Sequence, residues 1–148
     1  IQPEKSLAAI DAEAMQKVFQ INSIGPAVLL QQLLPLLERK GALAVLSARV
    51  GSIADNRLGG WYAYRASKAA LNMLLKTAAI EQARRYPEAR LLSLHPGTVV
   101  SPLSQPFRGS AAARPALQAA AELLAVVDNS KASDSGSFVA YDGASVPW

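Results

Sequence analysis

The chain has 148 residues, of which 51% are apolar and 18% are charged. This length allows one domain with its own core, and the composition excludes the low hydrophobicity and high charge of disordered chains. Cysteine is absent, which excludes disulfides, thiol nucleophiles and cysteine-based zinc sites and fits a reducing cytoplasm.

The net charge of +4 has a local explanation. Arg84, Arg85 and Arg90 cluster around a predicted helix end, where cations interact favourably with the helix dipole. No basic stripe alternates with aromatic residues, so we expect no nucleic-acid binding. No apolar run approaches the roughly 18 residues of a membrane span, so we expect no membrane segment. One histidine and scattered carboxylates make no convincing metal site.

The first half of the chain predicts an irregular segment, a long helix and a strand. Asp11 can cap a helix over residues 11–39, which is disturbed near Gly25 and Pro26 and stopped by Gly41. Residues 42–47 form a predicted strand that is continuously apolar up to Ser47. Such a run favours a parallel strand covered on both faces over an amphipathic edge strand.

The second half continues the alternation of helices and strands. A helix is predicted over residues 61–85, a strand over 91–94, a helix over 116–127 and a short strand over 137–141. Between them, residues 98–113, with Pro106 and Gly109, form a long loop of the kind that often closes over a site. The alternation predicts an α/β fold built from crossover units.

Tyr64 and Lys68 carry the most informative chemistry. A four-residue step places a phenol and an ammonium group on one helix face. A fixed cation favours phenolate over phenol, so we expect the pKa of Tyr64 to fall toward neutral pH, as a proton donor to a carbonyl requires. The alternatives are a packing tyrosine and a solvated surface lysine.

Four motifs in order resemble those of the short-chain dehydrogenase/reductase family. They are an asparagine in a long helix, a serine at a strand end, Tyr-x-x-x-Lys, and Pro-Gly-x-Val followed by a hydroxyl residue. The closer likeness is to the C-factor and sniffer-like carbonyl reductase subgroup, and residues 47–53, 56–68 and 138–148 carry it.

The resemblance implies a Rossmann-type, doubly wound parallel sheet and an NAD or NADP cofactor. It implies hydride transfer between that cofactor and a small-molecule carbonyl or alcohol substrate, in a homodimer or homotetramer. The rival is a non-catalytic scaffold or signalling relative of the same fold.

The resemblance also assigns roles to residues. Tyr64 would donate or accept the substrate proton, while Lys68 would acidify Tyr64 and hold the nicotinamide ribose. Asn22 would hold a water next to the lysine and continue a proton relay, although a helix kink alone could explain an asparagine in a helix interior. The predicted cofactor loop, or an ordinary turn, comprises Pro96, Gly97, Val99 and Ser101.

The serine departs from the family pattern. Three residues before Gly51, where the family has the serine that polarises the carbonyl, the chain has Ala48. Ser47 is one residue early, and a one-residue offset in a strand reverses the direction of the side chain. Ser52 lies twelve residues before Tyr64 but after the glycine. Ser47 is therefore the best candidate, with the alternative that Tyr64 polarises the carbonyl alone.

Further expectations concern single residues and the extent of the domain. His95 is expected to be structural, and Trp61, Tyr62 and Trp148 either line a substrate pocket or serve packing. The family's Gly-x-x-x-Gly-x-Gly turn does not occur, and the first residue is Ile1. We therefore expect residues 1–148 to be the C-terminal part of one such domain, inactive alone, with the N-terminal half missing. The choice between NAD and NADP and the substrate stay open.

Overall fold

The computed structural model describes residues 3–102, 104 and 113–148. The predicted loop over residues 98–113, including Pro106 and Gly109, therefore lies largely outside the described residues. The helices are α1 (Ala12–Phe19), α2 (Gly25–Leu33), α3 (Tyr62–Arg85) and α4 (Ala116–Asn129). The strands are β1 (Ala42–Leu46), β2 (Arg90–His95) and β3 (Ser137–Ala140).

The first helical region begins and breaks as its residues predict. The Asp11 carboxylate accepts a hydrogen bond of 2.7 Å from the Ala14 N–H, which caps α1. A π-helical turn over Gln20–Ile24 separates α1 from α2. The predicted disturbance is therefore confirmed, just before Pro26. The helical region ends earlier than predicted, in a 3-10 turn at Leu34–Leu36, because the turn contains a proline that cannot continue an α-helix.

The three strands form one parallel sheet in the order β1, β2, β3. Leu43 pairs with Leu91 in the first ladder, and Leu94 pairs with Val139 in the second. Parallel neighbours need crossover connections, which α3 and α4 supply. The predicted α/β class is confirmed.

Helices cover both faces of the sheet. On one face, Leu30 of α2 and Leu75 of α3 join Leu91 of β2 in a buried cluster. Leu92, the next residue of β2, points the opposite way and lines a groove of about 550 Å³ together with Val126 of α4. The sheet is therefore wound on both faces, as a Rossmann-type sheet is.

Strand β1 differs from its prediction. It is an outer strand, and Leu46 is 59% exposed, so β1 is not covered on both faces as its apolar sequence predicts. The helix of the second face, α4, lines a groove together with residues of β2 and β3 instead. A second groove of about 560 Å³ runs between β1 and α2, and Asn22 and Lys68 line it.

Helix α3 begins at a strained residue that is held from several sides. Trp61 has φ 55°, in the left-handed region that costs a non-glycine residue about 1–2 kcal/mol. The buried Glu4 carboxylate accepts from the Ala63 N–H at 3.3 Å, and the Arg65 Nε donates to the Gly60 carbonyl at 2.9 Å. These bonds fix the first turn of α3 and with it Tyr64.

Candidate active site

The predicted Tyr64 and Lys68 pair lies on the first two turns of α3. The Lys68 Nζ donates a hydrogen bond of 3.0 Å to the Leu46 carbonyl, the last residue of β1. The ammonium group is therefore held at the carboxyl edge of the parallel sheet. In open α/β sheets this edge is where ligands bind.

Burial sets the electrostatics of both groups. Desolvation raises the pKa of Tyr64 above its ordinary value of 10.0, because the phenolate is the form that loses hydration. Desolvation also lowers the pKa of Lys68 from its ordinary value of 10.5, because the charged ammonium loses hydration. The predicted lowering of the Tyr64 pKa is therefore wrong, because burial raises this pKa. At neutral pH Tyr64 is a protonated phenol, the form that donates a proton.

Asn22 joins the pair through a serine that sequence reasoning missed. Asn22 lies in the π-helical turn, and its Nδ2 donates to the Ser67 Oγ at 3.1 Å. The Ser67 hydroxyl donates in turn to the Tyr64 carbonyl at 2.9 Å. The chain therefore runs from the first helical region to the helix that carries Tyr64 and Lys68.

A proline follows the π-helical turn and removes one donor of a regular helix. In an α-helix the N–H of residue 26 would donate to the Asn22 carbonyl, but Pro26 has no N–H. The Gly25 N–H donates to the Gln20 carbonyl, five residues back. Asn22 therefore lies where the regular helix is interrupted, which explains an asparagine at this position. The predicted relay role of Asn22 is not tested by this geometry.

The structure shows where the side chains of Ser47 and Ala48 point. The Ser47 hydroxyl donates to the Asn72 Oδ1 at 2.6 Å, and Ser47 is only 4% exposed. Ala48 has extended backbone angles, φ −151° and ψ 145°, so its methyl group points away from the side of Ser47. Within the described residues, Ser47 is not part of the hydrogen-bond chain through Asn22, Ser67 and Tyr64. A catalytic role for Ser47 stays a prediction.

Ser52, the other hydroxyl considered, is also buried. It is 1% exposed, and its Oγ accepts from the Asp55 N–H at 3.1 Å. This bond closes the turn that follows Gly51. The contact is structural and gives Ser52 no link to Tyr64.

The predicted cofactor loop follows β2. Gly97 has φ 69°, and a Cβ at this position would lie 2.9 Å from the Tyr141 ring, so only glycine fits. The Arg114 guanidinium donates to the Pro96 carbonyl, and Val99 forms a bridge with Arg114. The first part of the loop is therefore held to the start of α4.

Ser101 lies in a small network further along the same loop. The Ser104 hydroxyl donates to the Val99 carbonyl at 2.6 Å, and the Ser101 N–H donates to the Ser104 Oγ at 3.1 Å. These bonds place Ser101 in a closed turn. They do not test its predicted contact with a cofactor.

His95 ends β2 beside the loop. Its Nδ1 accepts from the Arg49 N–H at 3.2 Å. Burial, with the guanidinium groups of Arg49 and Arg114, lowers the pKa of His95 to about 4, while Asp142 opposes the shift. His95 is therefore neutral at physiological pH and fixes the segment after Ala48, which agrees with the expected structural role.

Contacts of the three aromatic residues support packing for Trp148 and leave the pocket role of the other two a prediction. Trp148 stacks on Phe138 with ring centroids 5.6 Å apart, which is packing. Trp61 lies 6.2 Å from the Tyr64 ring, at the predicted site. Tyr62 is at the surface, 36% exposed. Of these residues, Trp61 alone has a described contact with the predicted site.

Metal binding and membrane spanning were also considered. Across residues 3–102, 104 and 113–148, His, Asp and Glu form no group of three or more that could hold a metal ion. In the same part of the chain, no helix combines the length and the apolar character needed to cross a membrane.

Sequence reasoning missed Ser67, Asn72 and Glu4. Ser67 could have been found, because a residue three positions after Tyr64 lies on the same helix face. Asn72 lies 25 residues from Ser47, and Glu4 lies 59 residues from Ala63. Contacts between residues so far apart along the chain leave no local signal in the sequence.

The fold and the site together define a Rossmann-type α/β protein with a tyrosine and a lysine at the carboxyl edge of its sheet. Residues 1–146 match the family described as enoyl-(acyl carrier protein) reductase. The chain belongs to the short-chain dehydrogenase/reductase family and resembles its C-signal and sniffer-like members.

Individual relatives agree with this family. The chain is 38% identical to C-signal of Myxococcus xanthus over 97% of its own length and 84% of that protein. It is 33% identical to 1-hydroxy-2-glutathionyl-2-methyl-3-butene dehydrogenase of Rhodococcus sp. (strain AD45), over 96% of its own length but only 62% of that protein.

Solved structures give the same answer for the fold. Carbonyl reductase Sniffer of D. melanogaster superposes with a TM-score of 0.88 at 27% identity, and the match covers 100% of this chain and 62% of that one. An NADPH-bound carbonyl reductase from chicken fatty liver superposes with a TM-score of 0.85 at 28% identity, with the same coverage.

Proposed function

We propose that the full-length protein is an NAD(P)-dependent oxidoreductase that transfers a hydride between the cofactor and a small-molecule carbonyl or alcohol substrate. One observation carries the proposal. The Tyr64 phenol and the Lys68 ammonium group share a helix whose lysine is bonded to the last carbonyl of β1, at the sheet edge where ligands bind. Family membership supports the same class of reaction.

The residues present fit a nicotinamide dinucleotide. An ammonium group carries three N–H donors, and the described hydrogen bonds of Lys68 engage one of them, with Leu46. Lys68 and the Tyr64 hydroxyl therefore suit the ribose hydroxyls, and the loop with Pro96, Gly97, Val99 and Ser101 suits the nicotinamide side. When bound, the cofactor supplies or takes up the hydride. NAD and NADP both stay open.

The chain's own residues would handle the proton. Tyr64, protonated at neutral pH, donates to the substrate oxygen in reduction and accepts from the alcohol in oxidation. Lys68 stabilises the phenolate that results, and Asn22 continues the relay. If Ser47 keeps its bond to Asn72, no hydroxyl of β1 polarises the carbonyl and Tyr64 does so alone.

A second function has its own support. Ala48 occupies the place of the family's polarising serine, and the relative with 38% identity is named C-signal. A signalling or scaffold protein of this fold needs no serine at that position. Turnover of the full-length protein separates the two functions.

The test is Tyr64→Phe in the full-length protein. Removing one hydroxyl should lower turnover by about 100-fold or more, with little loss of stability, since general acid catalysis contributes about 10²–10⁴-fold. Tyr86→Phe is the matched control, because Tyr86 lies at the far end of α3 between the Arg39 and Arg85 guanidinium groups. We expect this control to keep wild-type turnover.

Two outcomes would contradict the proposal. A Tyr64→Phe variant with most of its activity would remove Tyr64 from the reaction. A wild-type protein that binds NADH or NADPH but reduces none of a panel of aldehydes and ketones would favour the signalling function.

Association and location are further proposals. Large apolar side chains remain exposed on α2 and α3, including Val28 at 55%, Met73 at 66% and Ile80 at 53%. A second subunit on these helices would bury them, which supports a homodimer or homotetramer. The cytoplasmic location rests on the absence of cysteine alone.

A further inference from the structure

We propose that Arg114 is a positioning residue of the proposed cofactor site, because its side chain and its backbone together hold the loop over residues 96–100. This inference rests on the proposed function, which assigns that loop to the nicotinamide side of the cofactor. Arg114 itself belongs to none of the four family motifs. Its role is argued from its contacts alone.

The Arg114 guanidinium is fixed by three elements of the fold. Its Nη1 donates to the Glu122 carboxylate on α4. Its Cζ lies over the ring of Tyr141, the residue after β3, at 3.3 Å from the ring centroid. Its Nη2 donates to the carbonyl of Pro96, the residue after β2. Only 17% of the Arg114 side chain is exposed, so these contacts leave the group little freedom.

Two of the three partners are themselves held in place. The Gln118 Nε2 donates to the Glu122 Oε1 at 2.9 Å, which orients the carboxylate. The Tyr141 N–H donates to the His95 carbonyl at 3.0 Å, which ties the start of the ring's own residue to the end of β2. An arginine suits such a place because its guanidinium is planar, stacks on aromatic rings and carries five N–H donors in a fixed fork.

The predicted cofactor loop is held by Arg114 at several points. The Arg114 N–H donates to the Thr98 carbonyl at 3.0 Å, and the Val100 N–H donates to the Arg114 carbonyl at 2.9 Å. A Cβ at Gly97 would lie 2.5 Å from the Arg114 Nη2, so the guanidinium lies directly against this glycine. The backbone of Arg114 thus holds residues 98 and 100, while its side chain holds Pro96 and Gly97.

This division allows the side chain to be tested without removing the backbone bonds. Arg114→Met keeps an unbranched apolar side chain and removes every side-chain donor, so the Pro96 carbonyl loses its partner while the bonds to Thr98 and Val100 can stay. A loop that is ordered before its ligand arrives binds more tightly, because binding then costs less ordering. Release of the Pro96 and Gly97 peptide should therefore weaken cofactor binding.

Equilibrium titration of the full-length protein with NADH and NADPH measures this effect directly. We expect Arg114→Met to raise the Kd of the cofactor that the wild type binds by about 10-fold. In steady-state kinetics the KM for that cofactor should rise with the Kd. The kcat at saturating cofactor should change little, because Tyr64 and Lys68 lie on α3 and keep their contacts.

Arg90→Met is the matched control for the loss of a guanidinium. The Arg90 Nη1 donates to the Ser130 carbonyl at 2.9 Å, and its Nη2 lies 3.4 Å from the Lys40 carbonyl. Arg90 begins β2, at the opposite end of that strand from Pro96. Both variants lose hydrogen bonds to main-chain carbonyls, so both thermal midpoints should fall. Arg90→Met should keep the wild-type Kd. Equal weakening in both variants would show a general loss of stability and would overturn the inference.

Arg114→Lys separates positioning from attraction by charge. A lysine keeps the positive charge but lacks the planar fork, so we expect its Kd to stay close to that of Arg114→Met. A lysine variant with wild-type affinity would show that charge alone is needed, and would overturn the inference. Wild-type affinity in Arg114→Met would do the same.

Failure of the proposed function looks different from failure of this inference. If the proposed reaction is wrong, Tyr64→Phe keeps its turnover, whatever the Kd of Arg114→Met. If Arg114 does not position the loop, Arg114→Met keeps its Kd, whatever the turnover of Tyr64→Phe. A wild-type protein that binds neither NADH nor NADPH in the titration would overturn both.

Discussion

Two of the polar contacts that α3 makes near the carboxyl edge of the sheet have opposite consequences for the predicted site. On the helical side, Ser67 is hydrogen-bonded both to Asn22 and to the backbone carbonyl of Tyr64. Asn22 is therefore bonded to the helix that carries Tyr64 and Lys68. On the strand side, the Asn72 Oδ1 accepts the hydrogen bond that the Ser47 hydroxyl donates. Helix α3 thus holds Asn22 near the predicted Tyr64 and Lys68 pair. The same helix also binds the Ser47 hydroxyl that was predicted to face the substrate carbonyl.

The difference shows how a one-residue offset acts in a strand and in a helix. On a helix, neighbours in sequence lie 100° apart, so Ser67 and Lys68 can both serve one region. On a strand, neighbours point to opposite faces, so Ser47 cannot replace a side chain at Ala48. The chain matches the family motifs on its helices and departs from them directly after β1.

The largest expected effect is a gain from restoring the strand hydroxyl with Ala48→Ser. We expect turnover in the full-length protein to stay equal or to rise, by up to about 100-fold, since one oxyanion-type donor is worth about 10²–10³ in rate. Steady-state kinetics with one aldehyde substrate measures the change. Ala44→Ser, on the exposed part of β1, is the control for adding a hydroxyl to this strand.

A fall in turnover with Ala48→Ser would contradict the assignment of Ala48 to the polarising position. If neither Ala48→Ser nor Ser47→Ala changes the rate, no hydroxyl of this strand takes part. The helical half of the site would then account for all proton transfer.

The next effect is on stability and concerns Ser47→Ala. The Asn72 Nδ2 already has no described partner, and removal of the Ser47 hydroxyl would leave the Asn72 Oδ1 unpaired as well. We expect the free energy of unfolding to fall by about 1–3 kcal/mol, the cost of an unsatisfied buried polar group. Urea denaturation measures it. Turnover should fall only if Ser47 has taken over the carbonyl contact.

Ser47→Ala with Asn72→Leu is the matched control for that loss. It removes both partners of the bond and replaces them with apolar groups, which is often nearly neutral. Most of the stability should return. A double variant that is less stable than Ser47→Ala would show that Asn72 has another role in the core.

Particular residues show why the sequence predicts one part of this molecule and not another. The bounds of α3 and the three parallel strands follow from local periodicity and from turn residues such as Gly41. The Tyr64 and Lys68 pair lies within one helix, so its spacing predicts its geometry. The pKa direction of Tyr64 was predicted wrongly, because burial depends on elements distant in sequence. The exposure of Leu46 depends in the same way on which elements cover β1.

The smallest expected effect concerns His95, which holds the strand side of the site at its other end. Its Nδ1 accepts from the Arg49 N–H, one residue after Ala48. In the folded chain the pKa of His95 is about 4, below the ordinary 6.5, so the folded state binds fewer protons between these values. The stabilisation is therefore complete above pH 6.5 and is lost as the pH falls from 6.5 through 4.

His95→Asn tests this pH dependence, because the Asn Oδ1 can accept from the Arg49 N–H but does not titrate. At pH 7.5 the variant and the wild type should be about equally stable. Between pH 6.5 and pH 4.5 the wild type should lose more free energy of unfolding than the variant, by at most about 1 kcal/mol once solvent screening is allowed for. Parallel curves for the two proteins over this range would show that folding does not lower the pKa of His95.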